Sequence, residues 1–539
     1  MSKYVITLIS FCLLFKTAAT FAQHDNHGQL AADQIGSTNV KFETSCAPAV
    51  SDEFNRAVAL LHSFWFAEAV AGFEQVLTTD ANCAMAHWGI ALSHWGNPFA
   101  GLRSPVQLSR GKAAIDKALS TGSPTQREQA WVDAAAQLFS DDQSSTQRAR
   151  VLAYEQAMEN IVKAYPEDRE ATIFYALAVN QTALPSDKTY AQQLKAASLL
   201  EPLFHEDPQH PGLAHYIIHA YDHPPLAEKA LDAARRYAAL APAIPHALHM
   251  PSHTFTRVGL WKESIETNLR SAEAARESST AGEELHALDY QTYAYLQTAQ
   301  DKAASKVLER AMALVEGVDS IAIGATGAGA FATAAIPARY TLERGAFAEA
   351  AALTVHPGQP YTEAITHFAR ALGAARSGNP QAAAADVERL AVLRDRMIEA
   401  QDAYWSEQVE IQRQVATAWM VFAEGKHAEG IAQLEAAAAM EDKTDKSAVS
   451  PGPLAPAREL LGFMLLDAER PDQALPAFEA TMIKEPNRFL SLYGAARAAG
   501  AVGDAEKEQR YYRQLLEVAG EADTDRPELQ RAKSALGLQ

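Results

Sequence analysis

Cysteine, basic residues and long apolar runs are all scarce in this chain, and each scarcity closes off a class of protein. There are three cysteines in 539 residues. Cys12 lies within an N-terminal apolar run. Cys46 and Cys83 remain, either as one disulfide in an oxidising compartment or as two buried free thiols. Acidic residues outnumber basic ones, 66 to 47, for a net charge of −19 and a pI near 5.4. That balance argues against nucleic acid or an anionic membrane as partner. After the N-terminus no apolar stretch reaches the ~18 residues of a membrane-spanning helix, so no transmembrane segment is expected. Strand-like alternation is nearly absent. Gly-x-Ser-x-Gly, His-Glu-x-x-His and Walker-type motifs are missing too. The glycines of "IGATGAGAFATAA" (323–335) follow no strand and read as a small-residue helix or loop, not a phosphate cradle.

What is present begins with a secretory pattern. Lys3, the apolar "VITLISFCLLF" (5–15) and the small-residue "TFA" (20–22) predict a signal peptide over 1–22. The mature chain is then periplasmic or secreted, with a polar, irregular segment over 23–48. A chain of this length needs several domains or a repeat array. A repeat is visible. "FWFAEAVAGFEQVLTTDAN" (64–82), "GLWKESIETNLRSAEAA" (259–275), "AEGKHAEGIAQLEAA" (423–437) and "DAERPDQALPAFEATMIKEPN" (467–487) share one cadence: a turn residue, polar residues, a small residue, then an apolar one. Abundant alanine makes these units helical.

Helix pairs with small residues at their crossings resemble the tetratricopeptide repeat (TPR), whose period is about 34 residues. The fold class expected is all-α: a superhelical α-solenoid of about eleven TPR-like helix pairs around a concave groove. N-terminal repeats are expected over 49–209, central His-rich repeats over 210–320 and C-terminal repeats over 321–539. "HYIIHAYDHPPLA" (215–227), "APAIPHALHMPSH" (241–253), "SPGPLAPARELLGFMLL" (450–466) and "NRFLSLYGAARAAG" (487–500) further resemble a family of exported bacterial TPR proteins of largely unassigned function. That resemblance implies the solenoid and no particular reaction. "HPGQP" (356–360) and "EDKTDKSAVSPGP" (441–453) read as turn-rich loops.

Seven of the 17 histidines crowd the central repeats: His210, His215, His219, His223, His246, His249 and His253. In the register the resemblance implies, units start at Pro211, Pro245 and Leu285. His215, His219, Asp222 and His223 of the first unit then face the groove, as do His246, His249 and His253 of the second. His286, Asp289 and Tyr293 follow in the third. His215 and His249 are 34 residues apart, as are His219 and His253. The two His-x-x-x-His pairs therefore form a near-rectangle on one groove wall, each pair sharing a helix face. Such a set, His215, His219, His249 and His253, can hold zinc, copper or iron, with an open position toward groove water. Asp222, His246, His286 and Asp289 are candidates to complete the shell or act as a base, and Tyr216, Tyr290 and Tyr293 to orient a substrate. Pro251 is expected to re-aim His249 and His253, and "DHPPLA" (222–227) to turn a tight corner.

Two other readings stand beside the metal site. One is a polar groove for a peptide, a small molecule or an envelope protein partner; the other is a purely structural hydrogen-bonded cluster. Hydrolysis and oxidation both suit a His-rich open site. His62, His87 and His94 sit beside Trp65, Trp88 and Trp95, where packing is the simpler role. His24 and His27 are adventitious metal ligands at most.

Overall fold

The computed structural model describes residues 40–140, 146–318 and 327–538. The expected signal peptide, His24 and His27 lie outside the described residues. Among those described, regular structure is helical and no strand occurs.

Local chemistry starts and stops the helices where the sequence places its punctuation. Ser104 forms a reciprocal capping box with Gln107. Thr125, Thr146, Asp168 and Asp504 each accept a first-turn backbone N–H, satisfying a donor that the helix itself cannot. Pro211, Pro245, Pro360 and Pro471 open their helices, where a missing N–H costs nothing.

The repeated small residues have a packing reason. A Cβ on Gly462 or Gly494 would stand 2.6 or 2.3 Å from the Phe478 ring. Phe478, on the Pro471–Lys484 helix, therefore wedges between the Ala457–Asp467 and Phe489–Ala501 helices. Each helix packs on the next, and the first helices of neighbouring pairs also pack on each other. Pro471 and Ala505 begin second helices 34 residues apart. This is the α-solenoid expected from the sequence, an architecture that presents extended surfaces for binding.

Two large apolar cores, Val40 to Phe255 and Ala299 to Ala532, are joined by smaller clusters. The C-terminal repeats fold back on the central ones. Trp261 Nε1 donates to the Asn487 carbonyl (2.9 Å), and Asp523 N to the Ala299 carbonyl (3.3 Å). Arg526 pairs with Asp301. No described helix is long and apolar enough to cross a membrane.

Cys46 and Cys83 form a disulfide, which decides between the two alternatives left by the sequence. It pins the segment before Ser51–His62 to the start of Ala84–Trp95 across 37 residues. Loop-closure entropy for that length gives a stabilisation of about 3–4 kcal/mol. Reduction, or a Cys46→Ser/Cys83→Ser variant, is expected to lower the thermal midpoint and expose the N-terminal repeats to protease first. An unchanged midpoint would show that the bridge constrains nothing.

Candidate metal centre

Pro211–Tyr221 is an 11-residue helix buried along its whole length. His215 and His219 lie one turn apart on it, and their Nε2 atoms approach to 3.1 Å. The next unit's first helix is broken at Met250 into Pro245–His249 and Pro251–Arg257, because Pro251 has no N–H to continue the ladder. His249 and His253 flank that break with their Nε2 atoms also 3.1 Å apart.

The single rectangle expected from the sequence resolves into two triads. His215, His219 and His246 offer nitrogens within 4.8 Å of one another, and so do His249, His253 and His286. The ring against His215 is His246, at 5.2 Å between centroids, in the place assigned to His249. His219 does neighbour His253, at 6.3 Å. The break at Met250 shifts the second unit relative to the first, which a fixed 34-residue offset cannot convey. Both His246 and His286 belong with the metal-ligand candidates.

The open groove wall is also corrected. His215, His249 and His253 retain 0%, 1% and 2% of their surface, and His219 and His286 are buried. Phe64, Phe99 and Tyr237 pack on the first triad, with Phe64 only 4.4 Å from His215 and Tyr237 stacked on the same ring. Over the second triad lies the 442–454 segment, expected only as a linker. Tyr290 Oη donates to the Ser450 carbonyl (3.2 Å), and Arg339 donates to Ser450 Oγ and to the Gly452 and Pro453 carbonyls. Lys188 holds Asp445 from the N-terminal side at 2.7 Å. These ties make the segment a strap across the groove.

Around the triads, fixed acceptors select tautomers. His249 Nδ1 lies 2.7 Å from Asn268 Oδ1, whose amide is oriented by its own donation to the Ser264 carbonyl. His253 Nδ1 lies 2.9 Å from Asp222 Oδ2. His215 Nδ1 lies 2.7 Å from the His62 carbonyl. Each of these nitrogens must donate, so each Nε2 turns a lone pair inward. This is the arrangement in which imidazoles serve as oriented ligands. His246 Nε2 and His286 Nδ1 are buried with no hydrogen-bond partner.

Burial pushes the pKa values of His215, His219, His246, His249 and His286 well down, and neighbouring histidines deepen the shift. His253 is lowered by burial as well, against the opposing pull of Asp222. These shifts favour the neutral imidazole, the form that binds cations.

The other candidates take different roles. Asp222, at the tight corner after Tyr221, holds His253, Arg257 (2.9 Å) and Lys446 (3.2 Å). Burial would raise its pKa, but Lys446, Arg257 and His253 outweigh that and hold it well below the usual range. It is a positioning residue. Asp289 stands apart: Arg339 Nε donates to it at 2.9 Å, and it belongs to neither triad. The expectation that it completes the shell or acts as a base is therefore set aside. Tyr216 is engaged with His62 Nδ1 (2.9 Å) and Tyr293 with Arg488 and Glu485, so neither is free to orient a substrate. Tyr290 lies beside His253, its hydroxyl likewise engaged, by the Ser450 carbonyl.

His62 is fully buried, its Nε2 2.9 Å from Glu170, which also holds His210. Trp88 packs edge-on against Trp131, as the packing reading expected. Asn268, Lys446 and Glu170 carried no sequence signal, since each reaches its histidine or Asp222 from another helix or loop, and Lys446 and Glu170 do so over 224 and 108 residues. Lys446 is the strap's contribution. Burial lowers its pKa to about 8 despite Asp222, and its charge is felt by His219, His249, His253 and His286.

No family model and no curated protein matches this chain. Solved helical-repeat structures do. The APC/C hetero-tetramer Cut9–Hcn1 is 12% identical, with 94% of this chain and 80% of that chain covered and a TM-score of 0.33. A human IFIT1 dimer with m7Gppp-AAAA is 10% identical over 92% and 95%, with a TM-score of 0.36. The TPR domain of P58(IPK) is 11% identical over 91% and 98%, with a TM-score of 0.22. At these scores the likenesses add nothing to what the helix pairs themselves establish.

Proposed function

We propose that this chain is an exported TPR-like solenoid that binds a transition metal, zinc, copper or iron, at His249, His253 and His286. One observation carries the reading. His249 and His253 both spend their Nδ1 protons on fixed acceptors, Asn268 and Asp222, while their Nε2 atoms face each other at 3.1 Å. Two lone pairs at that separation repel unless a cation or a proton lies between them. A third buried imidazole within ligand distance favours a metal ion over a shared proton. An all-nitrogen donor set suits zinc, copper or iron and disfavours magnesium or calcium. The disulfide fits an oxidising compartment such as the periplasm. Three protein ligands leave a coordination position, so metal-dependent hydrolysis or oxidation is the chemistry to assay.

The test is elemental analysis of the purified mature protein beside a His249→Ala/His253→Ala variant. Near-stoichiometric metal, lost in the variant while the helical signal persists, supports the reading. Absence of metal even after reconstitution with zinc, copper and iron salts would sink it.

A second reading follows from the architecture: an envelope scaffold that binds peptides or partner proteins in its groove without metal. The strap over the histidines leaves such a partner the rest of the solenoid surface. A partner that stays bound after chelation supports this reading, and one released by chelation favours the metal.

A further inference from the structure

We infer that the six histidines form a two-ion centre, with a second transition-metal site at His215, His219 and His246 beside the first. This rests on the metal reading of the first triad and extends it to a separate set of ligands.

The second triad has its own independent support. His215 Nδ1 is spent on the His62 carbonyl at 2.7 Å, so its Nε2 lone pair points at His219 Nε2, 3.1 Å away. His246 Nε2 is buried and has no partner, although it lies in a cluster of potential ligands. An unpartnered buried ring nitrogen is a cost that metal coordination removes. Phe64, Phe99 and Tyr237 pack around the triad, and the Glu283 carboxylate lies 4.0 Å from His246 Nδ1, leaving Nε2 as the nitrogen without a partner. The donor set is again three imidazoles, the chemistry of zinc, copper or iron.

The two sites adjoin. His219 and His253 have ring centroids 6.3 Å apart, and His246 and His249 6.5 Å. Ions held by the two triads would occupy adjoining sites, the arrangement of a two-metal centre. Such a pair takes a small bridging oxygen donor, such as hydroxide or a carboxylate, more readily than a single ion does. Lys446, reaching in from the strap to Asp222, would add a positive charge beside that bridge.

The test is a metal titration of the full mature chain without an affinity tag. The protein is stripped with a chelator, reloaded separately with zinc and with copper, freed of excess by gel filtration and analysed for bound metal. Two equivalents of one metal per chain are expected, falling to one in His219→Asn/His246→Asn and to one in His253→Asn/His286→Asn. One equivalent in the wild type, lost only from the second variant, overturns the two-ion proposal and leaves the single site standing. One equivalent lost from either variant means one ion shared across the triads and also overturns it. No metal overturns both readings. Should a variant fail to fold, the wild-type stoichiometry alone still decides between two, one and none.

Discussion

Replacing Arg488 with methionine is expected to cost about 3–5 kcal/mol of stability, the range for stranding buried charges. The Arg488 side chain is fully buried. Its Nη2 donates to Glu343 Oε1 (2.5 Å), and its Nε and Nη2 donate to both oxygens of Glu459 (2.8 and 2.9 Å). Nη1 donates to Tyr293 Oη at 3.1 Å. Four segments meet there: the Ala281–Gln297 helix, the turn after Gly327–Leu342, and the Ala457–Asp467 and Phe489–Ala501 helices. Methionine preserves much of the volume and leaves two carboxylates without their cation.

The pH dependence distinguishes stranded charge from lost packing. Burial already raises the Glu459 pKa above its ordinary 4.5, against the pull of Arg488. Without Arg488 the rise is larger. The folded variant then holds a proton that the unfolded chain releases, so its stability falls as pH rises through and above 4.5. The deficit relative to wild type is therefore expected to shrink toward pH 5. Adding Glu343→Gln and Glu459→Gln to the variant is expected to restore part of the loss at pH 7.5. Urea unfolding at both pH values measures all of this. A deficit under about 1 kcal/mol, or one independent of pH, would show that the cluster is not an electrostatic staple.

The second large effect belongs to Asp222. Asp222→Asn keeps the shape and removes the single charge that Arg257, Lys446 and His253 share. Arg257 and Lys446 are both buried, with side chains only 3% exposed. A loss of about 3 kcal/mol is expected from removing the one carboxylate they contact, which leaves only the field of Glu485 and Asp445. The amide also binds His253 Nδ1 more weakly than a carboxylate does, which loosens the ring's orientation. Metal affinity is then expected to fall about 10–100-fold, the usual effect of losing a partner that orients a ligand. Competition with a chromophoric chelator reads the affinity, and urea unfolding reads the stability. A companion Lys446→Met change should recover stability in Asp222→Asn while leaving the metal defect in place. Recovery of both together would mean that Asp222 acts only through the strap, and an unchanged metal affinity would remove it from the centre.

Some of the centre was legible in the sequence. The His215/His219 and His249/His253 pairs are visible because a helix brings residues four apart onto one face, and that rule needs no tertiary structure. Both pairs do meet nitrogen to nitrogen. Pro251 signalled the disturbance between them for the same local reason, and the break falls one residue before it. The repeat cadence announced the helical solenoid, since glycine opposite Phe478 is needed wherever helices cross that closely.

The rest depends on contacts across long stretches of chain. Lys446 reaches Asp222 over 224 residues, Tyr290 reaches Ser450 over 160, and Arg488 reaches Tyr293 over 195. No periodicity marks such partners, because the return of the C-terminal repeats is a property of the accumulated superhelix and not of any unit. That return, with the aromatic packing around the first triad, turned an expected open histidine wall into a buried cluster under a strap. Packing between neighbouring units set Asp289 against Arg339 and, with the break at Met250, joined His246 and His286 to the neighbouring pairs. By itself the sequence determined the helices, their pairing into repeats and the imidazole pairs, because spacing along a helix does so directly. Only the tertiary structure decided what those imidazoles face, since burial and second partners are set by how distant repeats close on one another.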